Sequence, residues 1–256
     1  MLPIMDVSRW QGRINWDKVK ASDFVSGVML RALGNSAKDA PSKPYIDPTF
    51  ERNYRECQRL GIACGVYYYC KAVNTAEADA ELALLRKVLT GKTVQLPVAV
   101  DIEDSYVQAP LDKQTLTDIA AHALATVERW GFYAMLYTGL YFGRDNLYMT
   151  GAALKPYDVW LAAYRSKKPE PGWSFGLWQY TSKGKIPGVV DAIPGKISGV
   201  DLSVPYKDYA KIIAKKGLTR LREANDRKRS FAVGAGHLGQ PVRRCHHDRQ
   251  GAGNHP

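Results

Sequence analysis

Eight short apolar runs constrain this chain more than any other feature. They are Pro3–Val7, Gly27–Ala32, Ala63–Tyr69, Val98–Glu103, Phe132–Thr138, Asp158–Tyr164, Phe175–Tyr180 and Ile197–Leu202. Each is four to eight residues rich in β-branched or aromatic side chains, the pattern of a buried strand. Helical patterns separate the early ones. Asn15-Trp16 opens a helix, and Phe50, Tyr54, Cys57 and Leu60 mark one that Gly61 stops. Thr75–Leu89 has Thr75 as its expected N-cap, with Ala78, Leu82, Leu85 and Leu89 at helical spacing. Asp112–Trp130 is closed by Gly131, and Tyr206–Lys216 by Gly217. Strand alternating with helix predicts an α/β parallel sheet, and eight strands predict a closed or nearly closed (β/α) barrel. Weak helices in the second half predict an irregular one.

Such barrels carry their chemistry at the C-terminal ends of the strands. The fourth run ends Asp101-Ile102-Glu103-Asp104. Side chains alternate along a strand, so Asp101 and Glu103 share one face, with Cα atoms roughly 6.5 Å apart. Close carboxylates resist joint ionisation, so one keeps its proton toward neutral pH. General acid catalysis on a glycosidic oxygen needs such a proton. The other reading is two exposed acids just beyond a strand. Asp6 and Asp201 also fall at expected strand ends, and strands one and eight adjoin in a closed barrel, so four acids are expected to converge. Asp104 reads as a solvated loop acid. Arg31, in an apolar strand, needs a partner if buried, and an acid of the groove is the expected one.

Composition narrows the class. The 256 residues are 45% hydrophobic and 24% charged, with fifteen Tyr and six Trp, suited to one barrel-sized domain with a tail. Cys57, Cys64, Cys70 and Cys245 form neither a zinc-like pairing nor a disulfide framework. No metal or cofactor is implied. The first five residues do not read as a signal peptide and no segment reads as a membrane span. The expectation is synthesis in the cytoplasm and action outside after release or export. The net charge of +11 favours an anionic partner. From Lys215 onward there are ten basic residues against three acids, which accounts for seven of that excess. Residues 218–256 are Gly-rich with few large apolar side chains and read as a disordered basic tail. Cys245-His246-His247 within it reads as a tail accident, not a metal site.

The ordered set of motifs resembles glycoside hydrolase family 25, the muramidases found among phage endolysins and bacterial autolysins. Asp6-Val7-Ser8 with Gln11-Gly12, Ile14 and Trp16 resembles its N-terminal signature. Gly65–Tyr69 resembles its third strand, and Pro97–Glu103 its central acidic strand. Val159–Tyr164, Leu177–Tyr180, Pro187-Gly188 and Val200–Ser203 resemble later blocks. The resemblance covers about residues 3–217 and implies a flattened, incomplete barrel that cuts the β-1,4 bond between N-acetylmuramic acid and N-acetylglucosamine. It implies Glu103 as general acid, Asp101 as the carboxylate beside it, and Asp6 and Asp201 as further groove acids. Ser203 stands where the family often has Asn. Substrate assistance by the 2-acetamido group, with Asp101 orienting it, is the favoured course, with retaining and inverting courses open.

Tyr67, Tyr137, Tyr164, Trp160 and Trp178 lie near strand ends and are candidate sugar platforms, the alternative being barrel packing. Gln11 reads as a turn residue. The expected partner is the peptidoglycan glycan strand, with the tail either touching anionic wall polymers or a bare linker. A monomer is the default. Competing readings are a catalytically inactive peptidoglycan- or chitin-binding lectin on the same barrel, and a nucleic-acid-binding protein. The costly acid pair argues against the lectin, and charge concentrated in a tail, not on a folded face, argues against nucleic acid.

Overall fold

The strands close on themselves. In the computed structural model, which describes residues 1–190 and 199–222, the strands are β1 (Ile4–Val7), β2 (Gly27–Asn35), β3 (Pro44–Ile46), β4 (Cys64–Tyr69), β5 (Val98–Asp101), β6 (Ala134–Gly139), β7 (Asp158–Ala162), β8 (Leu177–Gly184) and β9 (Val200–Pro205). The order β1-β9-β8-β7-β6-β5-β4-β2 returns to β1 through a β1–β2 pairing, and β3 hangs on β2 outside the ring. The expected eight-stranded barrel is therefore present and its ring is closed. Its helical coat is what is incomplete: residues 163–176, between β7 and β8, contain no helix.

The helices are α1 (Trp16–Ser22), α2 (Phe50–Leu60), α3 (Thr75–Leu89), α4 (Lys113–Arg129), α5 (Leu140–Asn146) and α6 (Tyr209–Lys216). Local chemistry sets their ends. Asn15 and Asp112 side chains accept the free N–H groups that open α1 and α4. In α3 that role falls to Asn74, not Thr75: its Oδ1 accepts the Glu77 N–H at 2.9 Å. Gly61 and Gly217 end α2 and α6 in left-handed geometry.

One expectation fails in an informative way. Strands β1, β2 and β4 to β8 run parallel, but β9 is antiparallel to both its neighbours. It runs downward, so Asp201 sits at its beginning, not at its C-terminal end, and still lies on the upper rim opposite Asp6. The following helix, α6, consequently lies at the lower mouth. Tyr209 and Ile213 are buried with the barrel's interior residues, and the Tyr209 hydroxyl reaches Asp158 Oδ2, at the start of β7, at 2.9 Å.

Two cores result. The larger lies between ring and helices, with Val28, Leu30, Val66, Val98, Val100 and Leu136 facing Leu82, Leu85, Ile119 and Leu124. The smaller fills the barrel with Ile4, Met29, Leu96, Ala99, Met135, Trp160 and Leu177. Gly65 belongs to that plug, because a Cβ there would come within 2.6 Å of Met29 Sδ and 2.7 Å of Leu96 Cβ.

Residues 1–221 form one compact unit. Leu218 packs on the inner core, and Thr219 and Arg220 bridge to Phe132 and Thr93, so the chain stays on the barrel beyond 217. The remaining tail from 223, with Cys245, His246 and His247, lies outside the described residues. Cys57, Cys64 and Cys70 are buried free thiols.

Candidate active site

Five of the barrel strands place an apolar residue in the plug and, two residues further up, a polar one above it. Ile4 lies below Asp6, Met29 below Arg31, Ala99 below Asp101, Met135 below Tyr137 and Leu177 below Gln179. The two-residue period of the strand thus builds a dry floor and a polar upper layer from the same strands. That layer surrounds a cavity of about 220 Å³. Drug-sized ligand pockets run to roughly 300–1,000 Å³, so this one suits a single unit of a larger chain.

All four expected acids line it: Asp6, Asp101, Glu103 and Asp201. Asp6 and Asp201 are direct partners across the β1–β9 seam. Asp101 is the last residue of β5, and Glu103 lies two residues beyond, on the same face, although the strand has ended. Ile102 between them points into the outer core. Tyr67, Tyr137, Trp160 and Tyr164 also line the cavity, as do Tyr69, Arg31 and Gln179.

Trp160 forms the floor. It is buried, and Tyr137 and Tyr67 stand edge-on to it with centroids 4.7 and 5.9 Å away. Its indole N–H donates to Ser203 Oγ at 2.9 Å, which gives the serine at that position a partner. Trp178 does not line the cavity. It lies one residue out of phase with Leu177 and Gln179, faces away from the lumen, and donates to the Ala163 carbonyl at 2.8 Å.

Gln179 takes the place expected of its neighbour. Its Nε2 donates to Asp6 Oδ2 at 2.9 Å, while its Oε1 accepts from the hydroxyls of Tyr137 at 3.0 Å and Tyr164 at 3.1 Å. Tyr164 also reaches Asp201 Oδ1 at 3.2 Å. A glutamine following an apolar run, with the parity of the plug residues, was the available signal. Gln11, by contrast, is the turn residue expected, closing a capping box with Ser8.

The acids hold their protons tightly. Burial pushes Glu103 up to about 7, reinforced by the Asp201 charge and opposed by the Tyr137 hydroxyl. Burial likewise raises Asp101 well above the usual range, with Glu103 adding to it and the Arg31 guanidinium opposing. Asp6 is raised by burial and by Asp201, and Asp201 by burial against its bond from Tyr164. Four carboxyls this close titrate as a set and cannot all be ionised together. Asp101 Oδ1 is buried with no hydrogen-bond partner.

Two supporting residues differ from expectation. Arg31 pairs with Asp47, which is not a cavity acid, through Nε at 2.8 Å. Asp104 is buried rather than solvated. Its Oδ2 meets Lys71 Nζ at 2.8 Å and the Tyr69 hydroxyl at 2.8 Å, while Oδ1 accepts the N–H groups of Tyr106 and Val107. Burial alone would raise its pKa, but Lys71 and these donors hold it below the usual value. Among the described residues, no group of three or more His, Cys, Asp or Glu is arranged to hold a metal ion.

Comparison with known proteins fits this geometry. Residues 5–189 match the family model for glycosyl hydrolases family 25. A relative from Escherichia coli named Uncharacterized protein YegX is 28% identical over 188 residues, spanning 72% of this chain and 65% of its own length. The autolytic lysozyme of Clostridium acetobutylicum is 26% identical over 185 residues, spanning 72% of this chain and 52% of its own. The modular autolysin LytC from Streptococcus pneumoniae superposes with a TM-score of 0.64 at 26% identity, covering 79% of this chain and 46% of that one, and has also been solved with a synthetic peptidoglycan ligand. This chain therefore spans just under two thirds, or less, of the curated relatives' lengths.

Proposed function

This chain belongs to glycosyl hydrolases family 25, and from that premise we propose that it is a muramidase. It cuts the β-1,4 bond between N-acetylmuramic acid and N-acetylglucosamine in peptidoglycan, and it acts at the cell wall after release or export. One observation carries the reading: Glu103 sits among three further carboxyls with its pKa raised to about 7. An acid so placed keeps its proton as pH approaches 7 from below and can give that proton to a leaving oxygen.

In the proposed course Glu103 protonates the glycosidic oxygen as the bond to the muramic C1 breaks. The carbonyl oxygen of the sugar's own 2-acetamido group closes onto C1, forming a cyclic cationic intermediate. Asp101 supports this step. Its partnerless Oδ1 is an acceptor waiting for a donor, and the acetamido N–H supplies one. Glu103, now ionised, takes a proton from the water that opens the intermediate. Asp201 keeps the proton on Glu103 beforehand through its charge, and Gln179 holds Asp6 in place. Trp160, Tyr67, Tyr137 and Tyr164 supply the surfaces against which the sugar rests.

The test is digestion of purified peptidoglycan by wild type and Glu103→Gln, with mass analysis of the new reducing ends. Muramic acid ends from wild type alone support the assignment. Glucosamine ends would overturn the choice of bond. Wall binding without cleavage by either protein would replace the enzyme with a lectin.

A further inference from the structure

A second cleft, of about 370 Å³, opens beside the first. It lies at the upper ends of β6 and β7 and is lined by Tyr141, Phe142, Ala163, Tyr164 and Arg165, among others. Tyr164 borders both cavities, so one side chain separates them. Its ring is more than half exposed, as is that of Tyr141.

The two cavities have opposite character. The first contains four carboxyls. The second has none in its wall and has Arg165 at its edge. Arg165 is exposed and, among the described residues, has no carboxylate partner. Its one polar contact is a long one, to the Tyr141 hydroxyl at 3.5 Å. Arg144, lying 5.1 Å from the Tyr141 ring, is already engaged by Asp145 in a two-pronged pair.

On the muramidase reading a single muramic residue sits in the first cavity, and the free carboxylates of the peptide on its lactyl ether are directed away from a pocket lined by acids. We propose that the Tyr141–Tyr164–Arg165 cleft receives the anionic peptide appendage of the muramic residue, with Arg165 as the carboxylate-binding group. This rests on the muramidase reading and sharpens it, because it makes peptide-bearing strands the preferred substrate. Arg suits the role, since its planar guanidinium matches a carboxylate in two parallel hydrogen bonds.

The experiment compares wild type and Arg165→Gln on glycan strands that keep their stem peptides and on strands stripped of them by an amidase, whose bared lactyl carboxylates are then amidated. The expected result is a drop in kcat/KM about tenfold larger on peptide-bearing than on stripped strands, the size of one charge-assisted hydrogen bond. Equal losses on both, or no loss, overturn the proposal. A binding measurement separates this from failure of the muramidase reading itself. N-acetylmuramoyl-L-alanyl-D-glutamic acid is titrated, with its carboxyls free or amidated, into both proteins. A free-acid preference of wild type that Arg165→Gln loses supports the cleft even if no bond is cut. No such preference overturns it.

Discussion

Glu103 and Asp104 are consecutive acids with opposite electrostatics. Asp104 is buried and Glu103 half-buried at the cavity wall, yet the Glu103 pKa is raised to about 7 while Asp104 is held below the ordinary aspartate value. Burial acts in the same direction on both. What differs is the company. Asp104 has an ammonium, a phenol and two backbone N–H groups within hydrogen-bond reach. Glu103 has the Asp201 charge against it and one phenol in its favour. The chain thus makes an ionised anchor and a proton-retaining acid from neighbouring residues by pointing one at donors and the other at acids. The anchor also holds the backbone that follows Glu103, through the Tyr106 and Val107 N–H groups.

The comparison breaks most completely at Glu103. Glu103→Gln should lower kcat by roughly 10²–10⁴-fold, the span of general acid catalysis, measured on purified peptidoglycan. The same variant should melt higher than wild type at pH 8, by a few degrees. The folded pKa lies above the unfolded one, so the ionised form weakens the fold as pH rises through about 7. Toward pH 4, where both states hold the proton, the gain should vanish in scanning calorimetry.

The anchor should respond in the reverse sense. Asp104→Asn leaves Lys71 buried without its counter-charge and should destabilise by about 3–5 kcal/mol, read as a lower Tm and denaturation midpoint. Lys71→Met with Asp104→Asn together should be milder than either alone, because no charge is then stranded.

The pH profile sharpens the contrast. Wild-type kcat/KM should fall as pH rises through about 7, as Glu103 loses its proton. Tyr137→Phe removes a hydrogen bond that favours the ionised form, so that limb should move to higher pH. Tyr69→Phe takes one of several donors from Asp104 and is the mildest change. It should cost about 1 kcal/mol, with no movement of the limb.

Much of this was readable from the chain alone, and the exceptions have physical causes. The strands showed because each barrel wall is apolar on its outer face, as in Val98, Val100, Leu30 and Val66. Asp101 and Glu103 were placed on one face by the two-residue period. That period also distinguishes Gln179 from Trp178, but only once it is known which parity faces inward, and Trp178 is the more conspicuous residue. The direction of β9 leaves no local trace, since Val200–Pro205 pairs equally well either way and tertiary closure decides. Strand β3 is short, begins with a proline and pairs on one side only, so it reads as loop. Asp104 read as solvated because its ammonium partner lies 33 positions earlier, beyond any local pattern.

The seam between β1 and β9 sets an order of events in the life of the chain. Asp6 lies on the first strand of the barrel to be made, and its partner across the seam, Asp201, comes only after every other strand of the barrel. Until β9 arrives, β1 and β8 each expose an unpaired edge, and Glu103 lacks the Asp201 charge that helps it keep its proton. Closing a contact across such a span is also entropically slow. The raised proton affinity of Glu103 is therefore among the last properties the barrel acquires, and a chain arrested before β9 carries that acid without the Asp201 charge beside it.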